Sequence, residues 1–116
     1  MAAGYGLSVR WSLAEASPDA PARLREYVVG TSLAKYAVKA GLSVKIWRMR
    51  EGEWFEGTYV WATKAARDKF AETFAADAVN AVGTQIIGTE PSIEPFEVVG
   101  VTEGPAGFSR GPGPGE

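Results

Sequence analysis

Hydrophobic residues near the start of the chain recur at every second position. Over residues 5–13 they alternate with Ser8, Arg10 and Ser12. A period of two over this length is typical of a β-strand with one buried face, because successive side chains point to opposite sides of a sheet. The pattern therefore predicts a first strand whose serines and arginine lie opposite its apolar residues.

A longer stretch with helical spacing follows over residues 19–40. Ser, Pro and Asp at its start are favoured at helix N-termini. Two apolar stripes recur at spacings of three and four, first Leu24, Tyr27 and Val28 and then Leu33, Tyr36, Ala37 and Ala40. The segment Val-Val-Gly-Thr-Ser joins the stripes and contains poor helix formers, so we expect the helical arm to break near Gly30. Gly30 would end the first helix in a left-handed conformation, and Thr31 or Ser32 would cap the second.

An antiparallel hairpin is predicted in the middle of the chain. Residues 42–50 alternate again, and residues 54–62 are rich in aromatic and β-branched residues. The Glu-Gly-Glu segment between them is short enough for a tight turn.

A second helix and a final strand follow the hairpin. Thr63 has the short hydroxyl side chain of a helix N-cap, and Gly83 is expected to end the helix. The apolar stripe of this helix consists of Phe70, Phe74 and Ala78. The last strand is predicted within residues 93–102, and its exact start is left open because Pro91 and Pro95 cannot donate to a ladder.

The order strand, helix, strand, strand, helix, strand predicts an α+β fold of the ferredoxin-like βαββαβ type, with a four-stranded antiparallel sheet covered by helices on one face. Three aliphatic residues of the second strand are expected to face the helices: Leu42, Val44 and Ile46. The other face would carry five bulky residues of the hairpin, most of them aromatic: Lys45, Trp47, Met49, Tyr59 and Trp61. Monomers rarely expose such a patch, so we predict a homodimer in which a second copy covers it.

Length and composition favour one domain, because 46% of the 116 residues are hydrophobic and 22% are charged. We expect this domain to span residues 1–103 and a Gly/Pro-rich tail to span residues 104–116. The tail is expected to be flexible, with docking of Phe108 onto a partner subunit as the alternative. The sequence shows no apolar run of membrane-spanning length and no signal peptide, so we expect a cytoplasmic protein without membrane association.

Missing residue types exclude several kinds of chemistry. The sequence contains no cysteine and no histidine, which excludes thiol nucleophiles, disulfides, cysteine or histidine metal sites and histidine acid–base catalysis within one chain. No metal site is predicted. The net charge is −2 and the 12 basic residues are scattered, which disfavours nucleic acid as a partner.

The hairpin and the start of the following helix read GLSVKIWRMREGEWFEGTYVWATKAARDKF, residues 41–70. Its Gly-Leu entry into a strand and its Lys-Ile-Trp and Gly-Thr-Tyr-Val-Trp segments resemble the YdhR-like monooxygenases of the dimeric α/β-barrel superfamily. The resemblance covers about a quarter of the chain, and the element order agrees over residues 5–102. It implies face-to-face sheets in a homodimer, a pocket between the sheet and helices of each subunit, and oxidation of an aromatic or polyketide-like small molecule without a cofactor.

The assumed sheet faces bring candidate site residues into one cationic, aromatic-lined chamber that would take an aromatic or anionic ligand. Arg10 and Lys45 would stabilise a carbanion or enolate electrostatically, and Tyr59 would hydrogen-bond a phenolic or keto oxygen. The expected substrate-binding residues are Trp47, Trp61, Ser8 and Ser12. The tryptophans would sandwich the substrate ring.

Simpler roles for the same residues stay open. The aromatic residues could serve only in packing, and Arg10 and Lys45 could form cross-strand ion pairs with Glu56, Glu94 or Glu97. The two candidate functions are a cofactor-independent monooxygenase and a non-catalytic small-molecule-binding or interaction module of the same fold.

Overall fold

The structure of the protein, a computed structural model, describes residues 4–113. Four strands are present: β1 (Tyr5–Ser12), β2 (Leu42–Arg50), β3 (Trp54–Trp61) and β4 (Ser92–Glu97). The α-helices are α1 (Ala20–Tyr27), α2 (Leu33–Ala37), α3 (Lys64–Ala76) and α4 (Val82–Ile87). A π-helical turn, Val28–Ser32, joins α1 to α2, and a 3₁₀ turn, Ala78–Asn80, precedes α4.

The strands form one antiparallel sheet in the order β2-β3-β1-β4, with the helices on one face. This arrangement confirms the predicted α+β, ferredoxin-like fold. Strand β1 lies in the centre, where Val9 pairs with Gly57 of β3 on one side and with Ile93 of β4 on the other. Leu7 and Val9 are completely buried beneath the helices, as their alternation predicts.

The helical arm is irregular where the sequence predicts a break, but the chain continues through it as a π-helical turn. Gly30 has no left-handed conformation, and Ser32 makes no capping hydrogen bond, so those two predictions are wrong. Tyr36 follows Leu24 by twelve residues, which in a regular α-helix would turn it about 120° away from Leu24. The wider turn, in which the Leu33 N–H donates to the Val28 carbonyl, lets both side chains stay buried against the sheet.

The helix after β3 begins as predicted and ends earlier than predicted. The Thr63 hydroxyl accepts a hydrogen bond from the Ala66 N–H at 3.1 Å. Gly83 does not end α3, which stops at Ala76, but lies within α4. A Cβ atom on Gly83 would come within 2.9 Å of the Trp11 ring, so glycine is needed here for close packing. Gly88, with φ +95°, ends α4 in the left-handed conformation.

The faces of the hairpin strands β2 and β3 that lie against the helices are opposite to those predicted. Trp47 and Met49 of β2 pack against the core beneath the helices, whereas Ile46 is 53% exposed on the other side of the sheet. The register shifts between Leu42 and Val44, which is a bulge at Ser43. Because the bulge adds one residue, Leu42 lies on the helix side while the alternation beyond it is reversed.

The chain after β4 contains no helix or strand as far as residue 113. Strand β4 begins one residue before the predicted range and ends at Glu97. Val99, Val101 and Phe108 are all exposed. The predicted division at residue 103 stays a prediction, and residues 1–3 and 114–116 of the predicted domain and tail lie outside the described residues. Within residues 4–113, no helix is long and apolar enough to cross a membrane.

Candidate functional site

A cavity of about 690 Å³ lies between the helix-covered face of the sheet and the helices. Its aromatic wall comes from β2, β3, α2 and α3: Trp47, Tyr59, Trp61, Tyr36, Phe70 and Phe74. Strand alternation brings Tyr59 and Trp61 to the same face, and helical spacing brings Phe70 and Phe74 onto it from above. Phe70 and Phe74 of the predicted stripe are therefore also wall residues of the cavity, whereas Ala78 lies beyond α3 in the 3₁₀ turn.

The rings of this wall contact one another closely. Tyr59 and Trp61 stack with centroids 6.0 Å apart, and the Phe70 ring lies 4.9 Å from each of them. Tyr36 meets Tyr59 edge-on at 5.7 Å. Burial raises the pKa of both tyrosine phenols, so at neutral pH each keeps its proton and can donate a hydrogen bond.

Trp61 carries a polar group that packing alone does not explain. The residue is 1% exposed, and its Nε1–H has no hydrogen-bond acceptor among the described residues. An unsatisfied buried donor costs about 1–3 kcal/mol. A phenylalanine would fill an aromatic position in the wall without that cost.

Lys45 enters the cavity from β2 and is surrounded by rings. Its Nζ lies 3.5 Å from the ring centroid of Tyr36, 4.3 Å from that of Tyr59 and 4.4 Å from that of Trp47. Its aliphatic stem packs over Gly57, where a Cβ atom would come within 3.1 Å of the Lys45 Cε. The strand register and a glycine on the neighbouring strand thus direct the amine toward the aromatic wall.

The Lys45 amine has no ion pair and no hydrogen bond with any residue between 4 and 113. Burial, helped by the nearby charge of Lys35, lowers its pKa to about 6. The three ring faces favour the ammonium form and act against this lowering. An amine with this pKa is mostly unprotonated at neutral pH, and it can accept a proton or donate its lone pair.

Three further lysines line the cavity, and they come from helices: Lys35, Lys39 and Lys69. All three are exposed residues, so they surround the opening with positive charge. Asp77 is the single carboxylate in the described lining, and it accepts a hydrogen bond from Asn80 at 2.7 Å. The electrostatics of the opening therefore favour an anionic ligand.

Arg10 and Ser8 lie on the opposite face of the sheet, where they bind Glu56. The Glu56 carboxylate, 4% exposed, accepts hydrogen bonds from Ser8 Oγ at 2.7 Å and from Arg10 Nη2 at 3.1 Å. Arg48 donates to the other carboxylate oxygen through Nε at 2.8 Å, and Thr58 also donates to that oxygen. Burial would raise the Glu56 pKa, but the hydrogen bonds from Thr58, Ser8 and Arg48 outweigh it and lower the pKa to about 2.

The predicted chamber is therefore divided between the two faces of the sheet. Lys45, Tyr59, Trp47 and Trp61 are brought together in the cavity. Arg10 and Ser8 are not part of it, and Ser12 is exposed, its Oγ accepting from the Ala14 N–H at 3.2 Å. The alternative interpretation of Arg10, a cross-strand ion pair with Glu56, is observed.

Sequence reasoning missed the helix-borne part of the site. Tyr36 and Phe70 were assigned to apolar stripes that pack on the sheet, which is correct, but the reversed face of the hairpin separated them from Lys45. The lysines at positions 35 and 39 flank Tyr36 on the helical arm. With the correct face of β2, their spacing would have indicated a cationic rim.

No protein-family model matches the chain, and no curated protein matches it either. Solved structures do resemble it. A Nitrosomonas europaea protein of unknown function is 20% identical with a TM-score of 0.66, covering 85% of this chain and 92% of that one. The ActVA-Orf6 monooxygenase of Streptomyces coelicolor, in complex with the ligand Nanaomycin D, is 14% identical with a TM-score of 0.61, covering 85% and 90%.

A third structure, a suggested antibiotic biosynthesis monooxygenase from Chloroflexus aurantiacus, is 19% identical with a TM-score of 0.52, covering 84% of this chain and 95% of that one. These likenesses define the class of fold, which is the α+β ferredoxin-like fold of antibiotic biosynthesis monooxygenase structures. At these identities they do not transfer a substrate or a reaction.

Proposed function

We propose that this protein is a cofactor-independent monooxygenase that oxidises a phenolic aromatic or polyketide-like small molecule in the cavity. The observation that supports this most is the Lys45 amine, which is held among three aromatic rings without a carboxylate partner in the described chain. The fold shared with the Streptomyces coelicolor monooxygenase agrees with the proposal. The finer assignment to the YdhR-like family belongs to the same proposal.

The proposed reaction begins with a proton transfer. The neutral Lys45 amine accepts the proton of a bound phenol, which leaves an ammonium beside a phenolate. The ammonium then stabilises the anion it has created, and the surrounding rings exclude water that would weaken this attraction. One residue thereby provides both a base, which the sequence did not identify, and the electrostatic stabilisation that was predicted for Arg10 and Lys45 together.

The phenolate is electron-rich enough to give an electron to dioxygen. For a phenol with hydrogen on the reacting ring carbon, one O₂ gives one quinone and one water. One oxygen atom enters the ring and the other leaves as water, while the substrate loses two hydrogens. The substrate supplies all four electrons, so the reaction needs no external reductant.

The other cavity residues have roles that follow from their chemistry. Tyr59 keeps its proton and can donate a hydrogen bond to a phenolic or keto oxygen. Trp47 and Trp61 present ring surface to an aromatic substrate. We leave Arg10, Ser8 and Ser12 out of the proposed site, because a ligand in the cavity is separated from them by the sheet.

An oxygen-consumption assay with a panel of hydroxylated polycyclic aromatics tests the proposal. We expect one O₂ consumed per quinone formed, with one atom of labelled oxygen in the product. The Lys45→Met variant should lose most of the activity, whereas Lys64→Met should keep it, since Lys64 is an exposed helix residue paired with Asp68. Tight binding of these compounds without oxygen consumption would favour the alternative, a non-catalytic small-molecule-binding module.

We also propose that the protein is a homodimer, on different grounds from those of the sequence analysis. The aromatic residues that suggested a dimer line the cavity, but the face without helices exposes three other apolar residues: Val44 (37%), Ile46 (53%) and Phe96 (38%). The strand register places them at one end of this face, beside the Glu56 network. A second copy could cover them through a two-fold contact. Light scattering should give about twice the 12.3 kDa chain mass, and Ile46→Glu should lower the measured mass to that of one chain. A monomeric parent protein at micromolar concentration would contradict this proposal.

A further inference from the structure

Lys45 differs from the other lysines of the cavity in two structural respects, its burial and its position among the rings. It is partly buried, whereas Lys35, Lys39 and Lys69 are exposed. It projects from a strand of the sheet, and its Nζ lies within 4.4 Å of three ring centroids. Like those lysines, it has no anionic partner among residues 4–113, and it lines a cavity large enough for an aromatic molecule.

A lysine without a carboxylate, desolvated by aromatic rings and close to a second cation, is in the setting that activates an amine as a nucleophile. A purely structural lysine in a protein interior would normally be paired, because an unpaired buried charge is costly. Lys45 avoids that cost by giving up its proton, which frees its lone pair. The cavity supplies the space in front of that lone pair.

We propose that Lys45 forms a covalent imine with an aldehyde or ketone ligand that enters the cavity. The aromatic wall fits an aryl carbonyl compound or a β-dicarbonyl, and the lysines at the opening favour one that also carries a negative charge. This reaction goes beyond the proposed oxidation and does not require it.

The chemistry needs neither an oxidant nor a cofactor. The Nζ lone pair attacks the carbonyl carbon while one amine proton passes to the oxygen, which gives a carbinolamine. Loss of its hydroxyl with the remaining amine proton releases one water and leaves a C=N double bond. The phenols of Tyr36 and Tyr59, which keep their protons at neutral pH, can hydrogen-bond the carbonyl oxygen during the attack.

Charged and titratable groups face Lys45 from several elements, and they set how its reactivity varies with pH. They are Tyr27, Lys35, Tyr36 and Lys39 on the arm, Tyr59 on β3, and Lys69 and Asp77 at α3. Because most of the charged groups are cationic, they disfavour protonation of Lys45. Its reactivity should rise with pH around pH 6 and then level off, whereas an exposed lysine gains reactivity up to about pH 10.4.

Reductive trapping with 4-carboxybenzaldehyde and cyanoborohydride tests the inference on the full chain. At pH 7 we expect one adduct in the intact mass, which peptide mapping places at Lys45, formed at least about tenfold faster than at any exposed lysine. Lys45→Arg places a guanidinium there, which keeps its proton and has no free amine, and it should lose this fast adduct. Lys64→Met should form it at the parental rate.

Two outcomes would overturn the inference. One is labelling of the parent protein spread over its lysines in proportion to their exposure, and the other is an unlabelled Lys45. Both are read from the parent protein itself, so they do not depend on the folding of a variant. If oxygen consumption persists while Lys45 stays unlabelled, the imine is rejected and the proposed oxidation stands.

Discussion

Arg10 and Lys45 are two basic residues that both contact aromatic rings but lie on opposite faces of one sheet. Arg10, with a side chain 42% exposed, donates to Glu56 and lies 4.2 Å from the ring centroid of Trp54. Lys45 also contacts rings, but no carboxylate of the described chain reaches it. A basic side chain near aromatic rings therefore has two different chemical consequences in this molecule.

The difference lies in the partner and in the residue type. A guanidinium keeps its proton in proteins, so Arg10 can only pair, and Glu56 gives it a partner. An amine can lose its proton when it is desolvated, and the cavity desolvates Lys45. The face on which a carboxylate binds the basic residue is thus an ion-pair network. The cavity, where no carboxylate of the described chain reaches the Lys45 amine, contains a candidate base and nucleophile.

The largest effect that we predict is a gain of stability in Lys45→Met, on the order of 4 kcal/mol at pH 7. Lys45 is deprotonated above about pH 6 in the folded protein, but only above about pH 10.4 in the unfolded chain. Between these values the unfolded chain binds one more proton, so the parent loses stability as the pH falls through this window. Methionine has no proton to bind, and urea unfolding at pH 7 measures the difference.

The same measurement at pH 9.5 supplies the control. There the gain in stability should shrink to about 1 kcal/mol, because most of the pH range between the folded and unfolded pKa values of Lys45 lies below this pH. A gain of equal size at both pH values would mean that better packing of methionine, and not the amine, is responsible.

On the other face, we expect Glu56→Gln to lower the free energy of unfolding by about 3 kcal/mol at pH 7. The variant removes the negative charge that two arginines share, and urea unfolding measures the loss. The Glu56 pKa of about 2 lies below its usual value, so this stabilisation is present above about pH 4.3 and disappears as the pH falls toward 2. Glu53→Gln is the matched control, because Glu53 forms an exposed pair with Arg50 and should change little. An equal loss in both variants would reject the special role of Glu56.

The sequence predicts the helices and strands of this fold well because the signals that mark them lie within a few neighbouring residues. Strand β2 was predicted to its observed bounds, and the Thr63 cap was predicted because one hydroxyl suffices to identify it. Gly83 was misread for the opposite reason. Its role depends on the ring of Trp11, which is distant in sequence.

The candidate site was only half predictable, and the bulge at Ser43 is the reason. Nothing in the sequence around Ser43 marks an extra residue in the strand, yet it decides which face every later residue of β2 occupies. Trp47 and Tyr59 were correctly grouped with Lys45 because they share a hairpin. Tyr36 was not, because only tertiary packing brings the helical arm to the Lys45 amine.

A paired binding experiment compares the two cations directly. With a hydroxynaphthoquinone probe at pH 7, Lys45→Met should weaken binding by about 1.5–3 kcal/mol, the range of a charge-assisted hydrogen bond. Arg10→Met should bind the probe as the parent does, because the sheet separates Arg10 from the cavity. Titration calorimetry measures both, and weaker binding in Arg10→Met alone would locate the ligand on the face without helices.

The smallest effect is expected for Ser8→Ala, which distinguishes a structural serine from a substrate-binding one. Ser8 donates one hydrogen bond to Glu56 at 2.7 Å, and the arginines and Thr58 keep the carboxylate paired after its loss. We therefore expect a destabilisation of about 1 kcal/mol, without any change in probe affinity. Ser12→Ala should destabilise the protein even less, because Ser12 is exposed and accepts only a local backbone hydrogen bond. Thermal unfolding and the same calorimetric titration measure both variants. Loss of probe binding in Ser8→Ala with unchanged stability would show that Ser8 contacts the ligand and that the face without helices is part of the site.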